Sequence, residues 1–293
     1  MTIPVAILGT GNIARDLYRK ISRSQAMRLA LVAGRRGHHE GLEEAKKFSD
    51  AISSESISAI INHKKEKIKI VFDTTSAEAH KIHHQILVDE GIQSIDLTPS
   101  GCGKIIVPSV NIEQSIGCLD ISLVSCGGQA SIPIIHALTD AARNSGYVVD
   151  YVELTTSVST LSAGPATRLN VDSYILHTEE AIRHFTACNA KVILNINPAD
   201  PPVNMQNSIS LRITGQGRAF PDWDRAIKPI ADKVNNYAPG WIISNRPHMI
   251  GEDRLFTSVR VTGHGDYLPA YSGNLDIITS AAVKVGEYIS CHI

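Results

Sequence analysis

Two short segments hold residue types able to do chemistry together. The first reads Ile121-Ser122-Leu123-Val124-Ser125-Cys126-Gly127-Gly128-Gln129-Ala130. An apolar strand stops, a cysteine follows, two glycines come next, and the pattern predicts a helix from near Gln129. A thiol so placed lies at the carboxyl end of a strand, where open α/β sheets bind ligands. Helix N–H groups facing it would lower its pKa and enrich the nucleophilic thiolate. The same groups would hold an oxyanion on a carbon attached to the sulfur. The alternative is an inert buried cysteine, a description that suits Cys118, Cys188 and Cys291 better. Cys102, within Ser100-Gly101-Cys102-Gly103, is a glycine-flanked rival without the strand-to-helix handover.

The second segment, Gly9-Thr10-Gly11-Asn12-Ile13-Ala14, fits GxGxxG/A, follows a strand-like run and opens a helix-like one. The first two glycines let the chain turn tightly and bring backbone N–H groups to a pyrophosphate, and a helix N-terminus adds partial positive charge. A tight turn without a ligand is the alternative. NAD enzymes place an acid about 20 residues beyond the glycines, on the ribose 2′-hydroxyl. Here the second strand ends Ala33-Gly34-Arg35-Arg36-Gly37. Arg35 and Arg36 can pair with a 2′-phosphate, which favours NADP; if both point to solvent, NAD is held by backbone contacts instead.

A dinucleotide and a nucleophilic thiol have a joint logic. Thiolate addition to an aldehyde makes a tetrahedral carbon that can release hydride to nicotinamide, leaving a thioester on the enzyme. A second nucleophile then removes the acyl group: water, phosphate, or another thiol such as coenzyme A.

The elements that must position these groups follow two patterns. Apolar runs at residues 5–8, 29–33, 68–72, 92–97 and 121–124 alternate with helix-like stretches at 12–22, 40–48 and 77–88. Continuous short runs predict strands buried on both faces, and their alternation with helices predicts an α/β, doubly wound parallel sheet. After about residue 147 the pattern changes to alternating, β-branched segments at 151–159, 192–196, 208–214 and 255–262, with helices near 171–185, 222–237 and 272–288. This half reads as α+β, with helices on one side of an antiparallel or mixed sheet.

Composition narrows the partners. The chain has 293 residues and a formal net charge of -1, so no basic excess exists to bind nucleic acid. No apolar run approaches the roughly 18–20 residues of a membrane helix. Five cysteines without a CxxC, and an opening Met1-Thr2-Ile3-Pro4 unlike a signal peptide, predict a soluble cytoplasmic protein.

Taken together, the motifs resemble those of the acylating acetaldehyde dehydrogenases, the coenzyme A-dependent partners of 4-hydroxy-2-oxovalerate aldolase in meta-cleavage catabolism. The resemblance is carried by Gly9-Thr10-Gly11-Asn12-Ile13, Phe72-Asp73-Thr74-Thr75-Ser76-Ala77, Ile95-Asp96-Leu97-Thr98-Pro99 and Val124-Ser125-Cys126-Gly127-Gly128-Gln129-Ala130. It continues through Ser162-Ala163-Gly164-Pro165-Ala166-Thr167-Arg168, Asn197-Pro198-Ala199-Asp200-Pro201-Pro202 and Tyr267-Leu268-Pro269-Ala270-Tyr271-Ser272-Gly273-Asn274-Leu275-Asp276. It implies a glyceraldehyde-3-phosphate-dehydrogenase-like architecture. Residues 1–127, completed by a C-terminal helix at 272–293, would form the Rossmann domain, and 128–271 an inserted α+β dimerisation and catalytic domain.

The resemblance also implies roles. Cys126 would carry the acyl thioester. Thr10 to Ile13 would hold the pyrophosphate, with Thr75 nearby. The loop Ser162-Ala163-Gly164-Pro165-Ala166-Thr167-Arg168-Leu169-Asn170 would cover the nicotinamide side, and Asn274 would reach the nicotinamide and the reacting centre. A homodimer is implied, and a possible aldolase partner, with acetaldehyde passing through a protected tunnel in the assembly. Two positions depart from the family pattern. Where the family has an Arg-Asp pair whose carboxylate lies near the thiol, this chain has Gln206-Asn207. Asn207 can hydrogen-bond but cannot act as a base. Where family members tend to have an acid after the second strand, Arg35 and Arg36 stand.

Rival readings are a phosphorylating semialdehyde dehydrogenase, for which Arg168 is the only obvious phosphate ligand, and a non-catalytic dinucleotide-binding scaffold for an aldolase, which Asn207 motivates. His80 and His84 stand one helical turn apart, but no HExxH or cysteine joins them and the helix reads as a surface element, so no metal is expected. His264 is a minor acid/base candidate.

Overall fold

The computed structural model describes residues 2–35, 40–217 and 219–293, in two compact units. The first comprises residues 1–124, 265–268 and 278–293, and the second 125–264 and 269–277.

The first unit is built on seven strands: β1 (Ile3–Leu8), β2 (Met27–Ala33), β3 (Ile52–Ser53), β4 (Ile70–Asp73), β5 (Gln93–Asp96), β6 (Lys104–Ile105) and β7 (Asp120–Ser122). They pair in the order β3-β2-β1-β4-β5-β7-β6, every pair parallel. Its helices are α1 (Asn12–Ile21), α2 (Glu40–Ala45), α3 (Ile57–Ile61), α4 (Ala77–Asp89) and α5 (Pro108–Asn111). Val5 to Leu8 and Ile70 to Phe72 are completely buried, as strands covered on both faces require. The strand order reverses between β1 and β4, the switch point at which such sheets bind ligands.

One layer of this unit was not legible as such. Register places Asp73 beside Asp96 and Ser94 beside Asp120. All four are buried, and α4 brings His80 and His83 against them, also buried. The expectation that α4 is a surface element is therefore corrected: one face is polar because it meets buried carboxylates. Asp73 Oδ2 accepts from His80 Nδ1 at 2.9 Å and His83 Nδ1 at 2.8 Å. The last part of the C-terminal helix is fixed by a second buried network, in which Lys20 Nζ donates to Asp16 at 2.7 Å and Asp266 at 3.1 Å, while Thr279 donates to Asp16.

The second unit has five strands: β8 (Val148–Ser159), β9 (Asn189–Asn197), β10 (Met205–Thr214), β11 (Trp241–Ile250) and β12 (Arg254–Val261). Their order is β11-β12-β10-β8-β9, antiparallel except for β8 with β9. Its helices are α6 (Cys126–Asn144), α7 (Pro165–Leu169), α8 (Val171–Thr186), α9 (Trp223–Asn235) and the start of α10 (Gly273–Ser290). Along β10, Ile209, Leu211 and Ile213 are buried while Ser208, Ser210 and Arg212 are not, so one face packs under helices. Trp241 ties α6 to the sheet, its Nε1 donating to Ala130 O at 2.8 Å.

Candidate active site

The cradle in the first unit grows out of β1. The chain leaves Leu8, Gly9 takes φ +117°, and α1 starts at Asn12. A Cβ on Gly9 would lie 2.3 Å from Thr74 Oγ1, so this close approach at the switch point excludes a side chain. Thr74 is pinned there, its N–H and Oγ1 donating to Leu8 O at 2.8 and 3.0 Å. Gly11 caps α1 without a side-chain hydrogen bond, the first turn has no acid, and among the described residues a Cβ on Gly11 would meet nothing within 4 Å. Helix N–H groups without a side-chain cap are the donor set a pyrophosphate needs. Thr10 is closely backed, since a Cβ on Gly41 would lie 2.1 Å from Thr10 O. Asn12 and Ile13 are half-buried and Arg35 is exposed; Arg36 lies outside the described residues. Thr75 donates its N–H and hydroxyl to Asp73 Oδ1, at 3.0 and 2.5 Å.

The cysteine belongs to the second unit. Cys126 is the first residue of α6, three positions earlier than the expected helix start near Gln129. Val124, two residues before it, has φ 64°, a left-handed conformation that is strained for a β-branched side chain. Ser125 then caps the helix, its Oγ accepting the Gly128 N–H at 3.0 Å. Thr178 donates its only hydroxyl proton to Tyr174 O at 2.6 Å, so the 2.7 Å contact between Ser125 Oγ and Thr178 Oγ1 is donated by Ser125.

The surroundings of the sulfur correct two expectations. The residue as a whole is half-buried, yet protein packed around the sulfur pushes its thiol up to about 11, against hydrogen bonds from Tyr174 and the Gly127 amide. Desolvation of the charged form outweighs the helix terminus. Nor are the following N–H groups free: Gly127 N–H donates to Tyr174 Oη at 3.1 Å and Gly128 N–H to Ser125. Tyr174 Oη lies 3.8 Å from Cys126 Sγ. Burial raises the phenol well above its usual range, so it stays protonated.

Asn207, on β10 and completely buried, reaches the same turn. Its Nδ2 donates to Ser131 Oγ at 2.6 Å and Gly127 O at 3.3 Å, while Oδ1 has no partner among the described residues. Thr156 lies beside it in the ladder. Gly127 is thus enclosed: a Cβ there would lie 2.1 Å from Tyr174 Oη and 2.5 Å from Thr156 Oγ1. The structure brings Cys126 and Asn207 together through Gly127. Asn274, also buried, makes its hydrogen bond to Ser162 O at 3.5 Å rather than to Cys126, and its Oδ1 has no partner among the described residues.

The 162–170 segment is folded on itself. Ser162 and Ala163 are buried, Gly164 caps α7, and Leu169 is exposed. Arg168 donates to Ala163 O at 3.0 Å and Thr160 O at 3.1 Å. Asn170 O accepts the Tyr174 N–H at 2.9 Å. Cys188 and Cys118 donate to backbone carbonyls, Cys102 is half-buried, and Cys291 and His264 are exposed. Sequence reasoning missed Tyr174. An aromatic residue on an amphipathic helix reads as core, and only the fold puts its hydroxyl against position 126.

A parallel sheet with a glycine loop at its switch point, joined to a mixed-sheet unit with a cysteine at a helix start, defines a two-domain dinucleotide-dependent dehydrogenase. Residues 4–115 match the semialdehyde dehydrogenase NAD-binding domain, which gives the cofactor class as a nicotinamide dinucleotide. Residues 126–269 match the dimerisation domain of prokaryotic acetaldehyde dehydrogenase, which supports a homodimer. An acetaldehyde dehydrogenase of Carboxydothermus hydrogenoformans is 39% identical, over 98% of this chain and 93% of its own. Those of Pectobacterium atrosepticum (39%, over 98% and 96%) and Geobacillus stearothermophilus (38%, over 99% and 97%) are similar to the same extent. The chain belongs to the acetaldehyde dehydrogenase family. No helix among the described residues is long and apolar enough to cross a membrane.

Proposed function

We propose that the protein is a CoA-acylating acetaldehyde dehydrogenase, interconverting acetaldehyde or another short aldehyde with its acyl-CoA. The observation that carries this reading is Cys126 itself, at the start of α6 with a phenol and a backbone amide on its sulfur. Gly9, Thr10, Gly11, Asn12 and Ile13 would hold the dinucleotide, and the exposed Arg35 favours the phosphorylated form. The bound nicotinamide supplies a hydride acceptor. Cys126 gives up its thiol proton and Sγ bonds to the aldehyde carbon as the carbonyl π bond opens onto oxygen; once hydride has left that carbon the C=O bond re-forms, and Cys126 carries the acyl group as a thioester. The coenzyme A thiol then attacks the carbonyl, the Cys126 bond breaks, and the sulfur is free again. Asn207 cannot take the incoming thiol's proton; it holds Gly127 O and Ser131 and so fixes the turn that carries Cys126. Asn274 and the 162–170 segment are assigned to the nicotinamide side.

Phosphate as acyl acceptor is less well supported, because Arg168 is already held by two carbonyls of its own segment. A cytoplasmic setting fits five free cysteines. An aldolase partner follows from the family resemblance, with co-purification of such an enzyme as its check. The reading is tested by supplying acetaldehyde with coenzyme A or phosphate, and NAD or NADP, and identifying the acyl product by mass. Acyl-CoA formation, lost in Cys126→Ser while dinucleotide binding persists, is the expected result. An active Cys126→Ser variant, or product only with phosphate, overturns it. A burst of reduced cofactor equal to the protein concentration, without coenzyme A, separates an enzyme from a scaffold.

A further inference from the structure

The thiol poses a problem that its helix does not solve. Two N–H groups of the first turn are engaged, Gly128 by Ser125 and Gly127 by Tyr174, and the Gly127 and Cys126 amides that bear on the sulfur do not offset its burial. What stands against the sulfur is a phenol, with Oη 3.8 Å from Sγ and itself accepting the Gly127 N–H at 3.1 Å.

The phenol is held there from several sides. Tyr174 is buried on α8, its N–H donates to Asn170 O, and its carbonyl accepts from Thr178, which is in turn bonded to the capping Ser125. Gly127 has no side chain, and any Cβ would collide with this oxygen. While Cys126 is a thiol, its S–H donates to Oη. Once the sulfur is ionised, Oη keeps the Gly127 N–H and its own proton can turn to the sulfur. An acceptor that receives a backbone hydrogen bond is a better donor through its own O–H. The groups approaching from β8 and β10 are Thr156 and Asn207, and neither titrates.

We infer that Tyr174 is a catalytic residue of this site, its phenolic O–H donating to the Cys126 sulfur in the ionised state and carrying the polarisation of the Gly127 amide to it. The inference rests on the reading of Cys126 as the nucleophile. No covalent step is added: the phenol keeps its proton throughout.

The test is the rate at which iodoacetamide alkylates Cys126 in the full-length protein, followed by peptide mass from pH 6 to 10.5. It needs neither aldehyde nor coenzyme A. In Tyr174→Phe the rate at neutral pH should fall about 10- to 100-fold, the range for one hydrogen bond to a charged group. The whole profile should move to higher pH, which loss of packing alone would not produce. Should that variant fail to fold, uniform replacement of tyrosine by the more acidic fluorotyrosine gives the converse test. Among the described residues Tyr174 is the tyrosine that contacts Cys126. There the profile should move to lower pH. An unmoved profile in folded Tyr174→Phe, or with fluorotyrosine, overturns the inference, even in a chain that makes acyl-CoA. A profile that shifts as stated in a chain that makes no acyl-CoA overturns the proposed function instead.

Discussion

Replacing Asp73 by Asn should destabilise the first unit in a pH-dependent way. The Asp73 carboxylate is completely buried and accepts four hydrogen bonds: two from His80 and His83, two from Thr75. Burial alone would raise the acid, but the two imidazoles hold it well below the usual carboxylate range. Burial likewise works to lower His80, yet Asp120 and Asp73 push it up to about 10. The signs follow from linkage. The Asp73 contribution is present above about pH 4, the unfolded value, and is lost as pH falls through the depressed folded value. The His80 contribution is complete below about pH 6.5 and fades as pH rises towards 10. Asp96 acts over a lower window: burial raises it to about 7, so its contribution is complete below about pH 4 and is lost as pH rises through 7, before the His80 window is spent. Removing one partner of a buried charge pair costs about 3–5 kcal/mol. That loss should appear between pH 5 and 6.5 and shrink markedly by pH 9.5, where wild-type His80 is already shedding its proton. Urea unfolding by far-UV circular dichroism measures it. Tryptophan fluorescence serves as an internal reference, because Trp223 and Trp241 both lie in the second unit. A loss below about 1 kcal/mol at pH 6, or one of constant size from pH 6 to 9.5, would refute the reasoning.

Two further substitutions probe the turn at Cys126. Gly127→Ala places a methyl group 2.1 Å from Tyr174 Oη and 2.5 Å from Thr156 Oγ1. Overpacking of this kind costs about 1–3 kcal/mol, and thermal unfolding together with turnover should both register it. Asn207→Asp removes the donor to Ser131 and Gly127 O and buries a carboxylate without a cation. Its folded pKa should be raised, so the destabilisation, about 3 kcal/mol at pH 8, should lessen near pH 5 when measured by denaturation at both pH values.

Much of the fold was legible because periodicity and burial agree in it. The runs at 5–8 and 29–33 are apolar throughout because β1 and β2 are covered on both faces, and β10 alternates because only one of its faces is. Strand β11 was missed for physical reasons. It is an edge strand carrying Pro247, its register shifts twice against β12, and half its length is exposed, so no alternation survives. Helix 40–48 was drawn too long: α2 stops at Ala45 and the chain continues in turns. In the site, the turn at Gly9 was legible because its demand is local: φ +117°, with Thr74 standing where a side chain would go. The histidines of α4 were not, since what makes them buried is three carboxylates on strands up to 40 residues away.

The reading of the cysteine shows where local reasoning stops. A helix terminus contributes about 0.3–2 kcal/mol to a charge beside it, whereas full burial can shift an ionisable group by about 3–5 pH units. The amides of Gly127 and Gly128 are also held by Tyr174 and Ser125, and the lowering that the Gly127 and Cys126 amides still supply is the smaller effect, so the thiol rises instead of falling. Position at a helix start is a property of the sequence; the competition for its N–H groups is a property of α8, whose Tyr174 lies 48 residues further along the chain. The reactivity of Cys126 is therefore set by which donors remain for its sulfur, and the geometry leaves one side-chain hydroxyl in that position.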